Sequence, residues 1–320
     1  MLSKIADGVY HAVGTGNLGV GANAAIIVND DEVLIVDSHV SATAAWALLR
    51  ELRAITTKPV KYVVNTHFHY DHAHGNQFFG KGVEIIGHEF TRAQMLAGKS
   101  KQGAAYEGLL RVLPQRRDSL QRVIDTAQSA DVRRAARTRL LQVQRYQRAV
   151  DDVRPTAPNV TLNHQLTLRR GSREIRILFL GRGHTGGDVV VYLPAERVLV
   201  TGDQIGTGLP YLGDGYLDEW ATTLGYVDAL PWDVILPGHG QPVRDHATPG
   251  KLASLLRDIH RQSSSLLDEG LSFDVVEQRL DLSSHITDYP ALADRNSADV
   301  RERLLLGVTR IGELRRMSRE

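Results

Sequence analysis

Within seven residues, Thr66-His67-Phe68-His69-Tyr70-Asp71-His72, the chain places three imidazoles and a carboxylate, just after the apolar run Val60-Lys61-Tyr62-Val63-Val64. Imidazole nitrogen and carboxylate oxygen suit zinc and other borderline divalent metals. A fold that accepts this segment has to end a buried strand there and bring further ligands to it. If the segment turns out of a strand into a helix, His67 and His69 stay on the loop side. Asp71 and His72 then open the helix and point the other way, so that four ligands can serve two ions. The bland alternative is a solvent-exposed His-rich loop.

Three later signals weigh against that alternative. Each is a metal-type residue in a Gly-rich turn where an apolar strand stops. His184 sits in Leu180-Gly181-Arg182-Gly183-His184-Thr185-Gly186-Gly187-Asp188, Asp203 ends Thr201-Gly202-Asp203, and His239 lies in Pro237-Gly238-His239-Gly240. Strand ends on one edge of a sheet are where such folds place chemistry. The chain has no cysteine, which excludes disulfides, thiolate nucleophiles and thiolate metal sites. Every metal ligand is therefore nitrogen or oxygen.

The remaining chain reads as α/β. Residues 8–13, 22–28 and 33–36 form a β-meander, with a Gly-rich hairpin turn at 14–19 that no helix follows. Residues 41–53 show helical periodicity, 60–64 and 83–86 return as strands, and a helix starts near Glu89. From about 98 to 154 the chain turns rich in Arg, Gln and Ala, with apolar residues at helical spacing. Two or three helices are expected there, with Pro114 near a boundary. Their arginines, among them Arg116, Arg117, Arg133, Arg134 and Arg137, read as a charged helix face. Strands resume at 160–162, 165–168, 174–180, 189–192 and 198–200. A helix near 219–229 and a strand at 232–236 follow, and the tail from about 249 is mostly helical. The rhythm of strands, helix and strand occurs twice.

At 320 residues the chain can form one large domain or two smaller ones. Net charge is +1, which argues against a nucleic-acid surface as the main business. No stretch is long and apolar enough to span a membrane, and no signal peptide is visible. The expected location is the cytoplasm, with a trimmed leader as the alternative.

Taken together, the His-x-His-x-Asp-His, Gly-His-Thr, Thr-Gly-Asp and Pro-Gly-His-Gly segments resemble the metallo-β-lactamase superfamily of metallo-hydrolases. The likeness covers about residues 5–245 apart from the helical insertion. It implies an αββα sandwich of two similar halves over 1–245, with the insertion at about 98–154. The tail at 246–320 is expected to form a helical C-terminal extension packed on the same domain. The likeness also implies two zinc ions, with iron or manganese as alternatives. His67, His69 and His184 would hold the first ion, Asp71, His72 and His239 the second, and Asp203 would bridge them with a hydroxide. Asp71 would orient the nucleophile or pass a proton. An Asp bridge in place of Cys resembles glyoxalase II, lactonases and phosphodiesterases of the superfamily. One departure is Ala73-His74-Gly75-Asn76, where many members carry Gly-Gly. His74 either contacts substrate or ligand, or caps and packs.

Asp37 and Asp188 are candidates for fixing ligand imidazoles, or for capping turns. Tyr211 and Tyr216, in the Gly-rich loop after Asp203, are candidate oxyanion donors or packed aromatics. The first expectation for substrate is a small carbonyl compound: a lactone, thioester or β-lactam. The alternatives are a phosphodiester of RNA or a nucleotide, and iron-dependent persulfide oxidation. The partner expected is a small-molecule substrate, with no nucleic acid, no membrane, and a homodimer through the helical insertion or the tail.

Overall fold

The computed structural model describes residues 2–14 and 20–318. Most of the Gly-rich turn expected at 14–19 lies outside the described residues. The chain divides into two compact units, Met1–Ile86 with Arg92–Val160, and Gly87–Thr91 with Thr161–Glu320.

The first unit is built on a seven-stranded sheet in the order β1-β2-β3-β4-β5-β6-β7. Strands β1 (Leu2–Ala6), β2 (Val9–Ala12), β3 (Ala24–Val28) and β4 (Val33–Val36) pair antiparallel. Helix α1 (Ala42–Leu52) then returns the chain, so β5 (Val60–Val64) lies parallel to β4. Ser41 caps α1 by accepting a hydrogen bond from Ala44 N. The 3.6-residue period puts Ala44, Ala45, Leu48 and Leu52 on one buried side, in a core with Ile26, Ile35, Val63 and Ile85. The four-residue α2 (Tyr70–Ala73) precedes β6 (Glu84–His88), which runs parallel to β5.

Helix α3 (Glu89–Leu96) leads to a long helical hairpin, α4 (Ala104–Thr126) and α5 (Ala130–Asp151). Pro114 lies inside α4, which corrects the expectation of a boundary there. Its ring frees the carbonyl four residues back, on Leu110. Leu110 is exposed, so water can take that carbonyl and the helix continues. The hairpin has its own small core of Tyr106, Leu113 and Val150, with Tyr70 and Tyr146 packed against it. Strand β7 (Val160–Leu162) follows.

The second unit carries a five-stranded sheet in the order β12-β11-β10-β9-β8. Strands β8 (Gln165–Arg170), β9 (Arg173–Leu178), β10 (Val190–Leu193) and β11 (Val198–Gly202) pair antiparallel. Helix α6 (Leu217–Asp228) makes the crossover to β12 (Val234–Pro237), which is parallel to β11. Helices α7 (Thr248–Asp268), α8 (Phe273–Arg279) and α9 (Ala298–Met317) complete the unit. One core joins Trp220, Leu224 and Ile235 with tail residues Leu256, Ile259, Val308 and Ile311. Among the described residues no helix is long and apolar enough to cross a membrane.

Candidate metal centre

Parallel pairing of β4 and β5 fixes the first cluster. Val36 pairs with Val64, and Asp37 N donates to Val64 O. This register lays the Asp37 carboxylate beside Thr66. Asp37 takes a positive φ of 64°, an uncommon backbone state for a non-glycine residue. Its carboxylate, almost wholly buried, accepts from Thr66 N at 2.8 Å and Thr66 Oγ1 at 2.8 Å. It also accepts from His72 Nδ1 at 2.8 Å. Because the Thr66 hydroxyl hydrogen goes to Asp37, its oxygen accepts from His67 Nδ1 at 3.0 Å. Both imidazoles are thereby set in the tautomer that turns Nε2 toward a metal.

His69 occupies the N-cap position of α2, and Asp71 and His72 lie within that helix. Ring centroids of His67 and His69 are 4.6 Å apart, and those of His67 and His72 4.3 Å. Asp71 Oδ2 is 3.7 Å from His72 Nε2.

Behind these candidate ligands, Ser38 Oγ donates to Asn76 Oδ1, and Asn65 and Asn76 exchange amide hydrogen bonds. Ser38 N donates to His72 O and Gly75 N to His39 O. The backbone passes so closely that a Cβ on Gly75 would meet Ser38 O at 1.8 Å. Glycine at 75 is therefore a packing requirement. His74 is fully buried against the rings of Tyr70 and Tyr106. Burial lowers its pKa from 6.5 to about 4, so it packs as a neutral ring. His39, also buried, is lowered to about 4 for the same reason.

In the second unit, the parallel pair β11–β12 sends Asp203 and His239 off the same strand ends, with Gly238 N donating to Gly202 O. Asp203 Oδ2 lies 3.6 Å from His184 Nε2 and 3.4 Å from His239 Nε2. His184 is buried against Trp220, with ring centroids 5.5 Å apart. Asp188 holds the turn after His184 by accepting from Thr185 N at 2.8 Å and Thr185 Oγ1 at 2.6 Å. Gly240, at φ +88°, lets the loop after His239 close on Thr207.

Two ligands bound tetrahedrally at zinc–nitrogen or zinc–oxygen distances lie about 3.3 Å apart or slightly more. The 3.4–3.7 Å Asp–His separations match that spacing and exceed a good hydrogen bond. These donor types and spacings suit divalent ions held by nitrogen and oxygen.

Tyr211 stands beside His184, at 6.0 Å between ring centroids. The Tyr216 ring is covered by the guanidinium groups of Arg182 and Arg310, at 4.3 and 4.9 Å. Sequence reasoning missed Thr66, Asn65 and Asn76, although Thr66 directly precedes the first histidine. It also missed Tyr106, an aromatic at helical spacing in an Arg- and Gln-rich stretch.

The sequence profile of the metallo-beta-lactamase superfamily matches residues 18–259. A linear primary-alkylsulfatase from Pseudomonas sp. (strain ATCC 19151) is 26% identical over 271 residues, 80% of this chain and 49% of that protein. The 2,4-dinitroanisole O-demethylase subunit alpha of Nocardioides sp. (strain JS1661) is 25% identical over 217 residues, 67% of this chain and 51% of that one. The chain spans about half the length of the curated relatives it matches. Among solved structures, a metallo-beta-lactamase from Pontibacter korlensis aligns with a TM-score of 0.55 at 20% identity, covering 81% of this chain and 99% of that one. The DIM-1 metallo-beta-lactamase aligns with a TM-score of 0.56 at 18% identity, covering 80% and 96%. At these identities the structures share the fold.

Proposed function

Since the chain belongs to the metallo-beta-lactamase superfamily, we propose that its two ligand clusters act together as a dinuclear metal centre that hydrolyses a small ester-type substrate. In this reading His67, His69 and His184 hold one ion, Asp71, His72 and His239 the other, and Asp203 serves both. The observation that carries it is Asp203 Oδ2, within 3.6 Å of one ligand imidazole and 3.4 Å of another. Zinc fits the nitrogen-rich donor set best. When bound, such ions supply an acidified water and polarise the group under attack.

The chain's own residues do the rest. Asp37 holds His72, and through Thr66 it holds His67. Asp71, partly exposed, receives a proton from the nucleophilic water. Tyr211, beside His184, donates to the oxygen on which charge develops. The relative named as a linear primary-alkylsulfatase puts a sulfate ester ahead of a lactone, thioester or β-lactam as the substrate to try.

The test is apo-protein reloaded with zinc, manganese or iron and assayed on a linear alkyl sulfate, a homoserine lactone, a thioester, nitrocefin and bis-p-nitrophenyl phosphate. Metal-dependent turnover of an ester is the expected result. No metal-dependent hydrolysis of any of them, or predominant iron with oxygen consumption on a persulfide, would overturn the proposal.

A further inference from the structure

Helix α5 has two unlike sides. Ala136 and Val150 are buried, with Val143 and Tyr146 packed beside them. On the opposite side, Arg134, Arg137, Leu141, Arg145 and Arg148 recur at i, i+3, i+7, i+11 and i+14, a spacing that aligns them in one stripe. All five are exposed, Leu141 at 55%.

Arg134 pairs with Asp131. Among the described residues no carboxylate pairs with Arg137, Arg145 or Arg148. Arg133, Arg134, Arg137, Arg139, Arg145 and Arg148 stand against only Asp131 and Asp151 in α5, a surplus of four positive charges. The whole chain carries only +1, so the surplus is local. Apolar side chains surface on the same hairpin, at Leu110, Val123 and Val132.

We infer that this face of α5 docks onto an anionic lipid bilayer, with the arginines on headgroup phosphates and Leu141 dipping into the interface. A helix that sets arginines around an exposed leucine suits a charged surface with an apolar layer beneath it. A nucleic acid offers the charge but nothing for Leu141. A second copy joined about a twofold axis would press this like-charged stripe against itself. The inference does not depend on the hydrolase reading.

The test is co-sedimentation of the full chain with vesicles of phosphatidylcholine alone and of phosphatidylcholine mixed with phosphatidylglycerol. The chain is expected to bind only the anionic vesicles, and less so as salt rises. Each of Arg137→Gln, Arg145→Gln and Arg148→Gln should lower partitioning about fivefold, and the three together about a hundredfold. Leu141→Ser should weaken binding without changing its salt dependence. All these positions are exposed, so circular dichroism and melting should stay at wild type. Absence of binding to anionic vesicles would overturn the inference, as would full binding by the triple variant. Stripe-dependent capture of a duplex oligonucleotide without vesicle binding would replace the bilayer with nucleic acid. A dimer dissociated by the same variants, again without vesicle binding, would replace it with a second copy.

Discussion

The two candidate ligand clusters are built by opposite means. The first gathers four ligands in six consecutive residues and braces them from behind with Asp37, Thr66, Ser38, Asn65 and Asn76. His67, His69 and His72 are all buried. The second draws three ligands from turns far apart in sequence, and there His239 is 42% exposed in its side chain and Asp203 15%. The first cluster is a by-product of folding, because the hydrogen bonds that fix its imidazoles are also those that close the sheet edge. The second depends on turns that glycine allows to come close.

The largest effect should separate the clusters by their glycines. Gly75→Ala sets a Cβ against a backbone carbonyl, Ser38 O, which cannot rotate away. It should cost about 3 kcal/mol or more. Gly240→Ala meets the Thr207 hydroxyl, a side chain, at a positive φ. It should cost about 1–2 kcal/mol, partly recovered in a Thr207→Ala background. Urea denaturation of the four proteins reads this directly, and equal losses for the two glycines would break the comparison.

Tyr106→Ala comes next. It empties a buried ring site between the insertion and the ligand segment, where Tyr106 touches Tyr70 and His74. A loss of about 3 kcal/mol is expected. Phe in its place should restore nearly all of it, since no hydrogen bond of the ring carries the packing argument.

Carboxylates rank third. Asp37→Asn replaces one of the two acceptor oxygens that serve Thr66 and His72 Nδ1 with a donor amide and removes the charge, and it should weaken metal binding about 10–100-fold by competition with a chelator. Asp188→Asn, whose carboxylate holds the Thr185 turn, should weaken it less than Asp37→Asn. A larger loss from Asp188 would reverse the ranking of the two clusters.

The smallest effect is on pH. Burial lowers the pKa of His88 below its ordinary 6.5. The unfolded chain therefore binds a proton that the folded chain does not, over the window just below pH 6.5. The contribution of His88 is complete above that pH and is lost as pH falls. Melting temperature against pH should show a shallower acid limb in His88→Gln than in wild type.

The first cluster was legible in the sequence because its ligands are contiguous and follow an apolar strand. His184, Asp203 and His239 were legible by their turns. Asp37 was visible only as a strand-end carboxylate. Its contact with His72 spans 35 residues and depends on the parallel register of β4 and β5, which local periodicity does not encode. Pro114 was misread because propensity places proline at helix ends, whereas solvent at Leu110 lets α4 absorb it. Tyr216 was read as a donor or a packed aromatic, and its cover by Arg182 and Arg310 joins residues 34 and 94 positions away. No local pattern foretells such a pairing. The outward stripe on α5 was read as a solvated charged face because sequence shows the acids of the insertion beside its arginines. It does not show that Asp131 pairs with Arg134 alone of the stripe arginines.

In the proposed centre, Asp203 joins the braced cluster and the turn-borne cluster in one two-metal site. Metal content by plasma emission, on wild type and Asp203→Ala reloaded with zinc and freed of excess, tests it most directly. Two zinc ions per wild-type chain, with at least one lost in Asp203→Ala, is the result predicted. Two ions retained in Asp203→Ala, or fewer than one in the wild type, would contradict it.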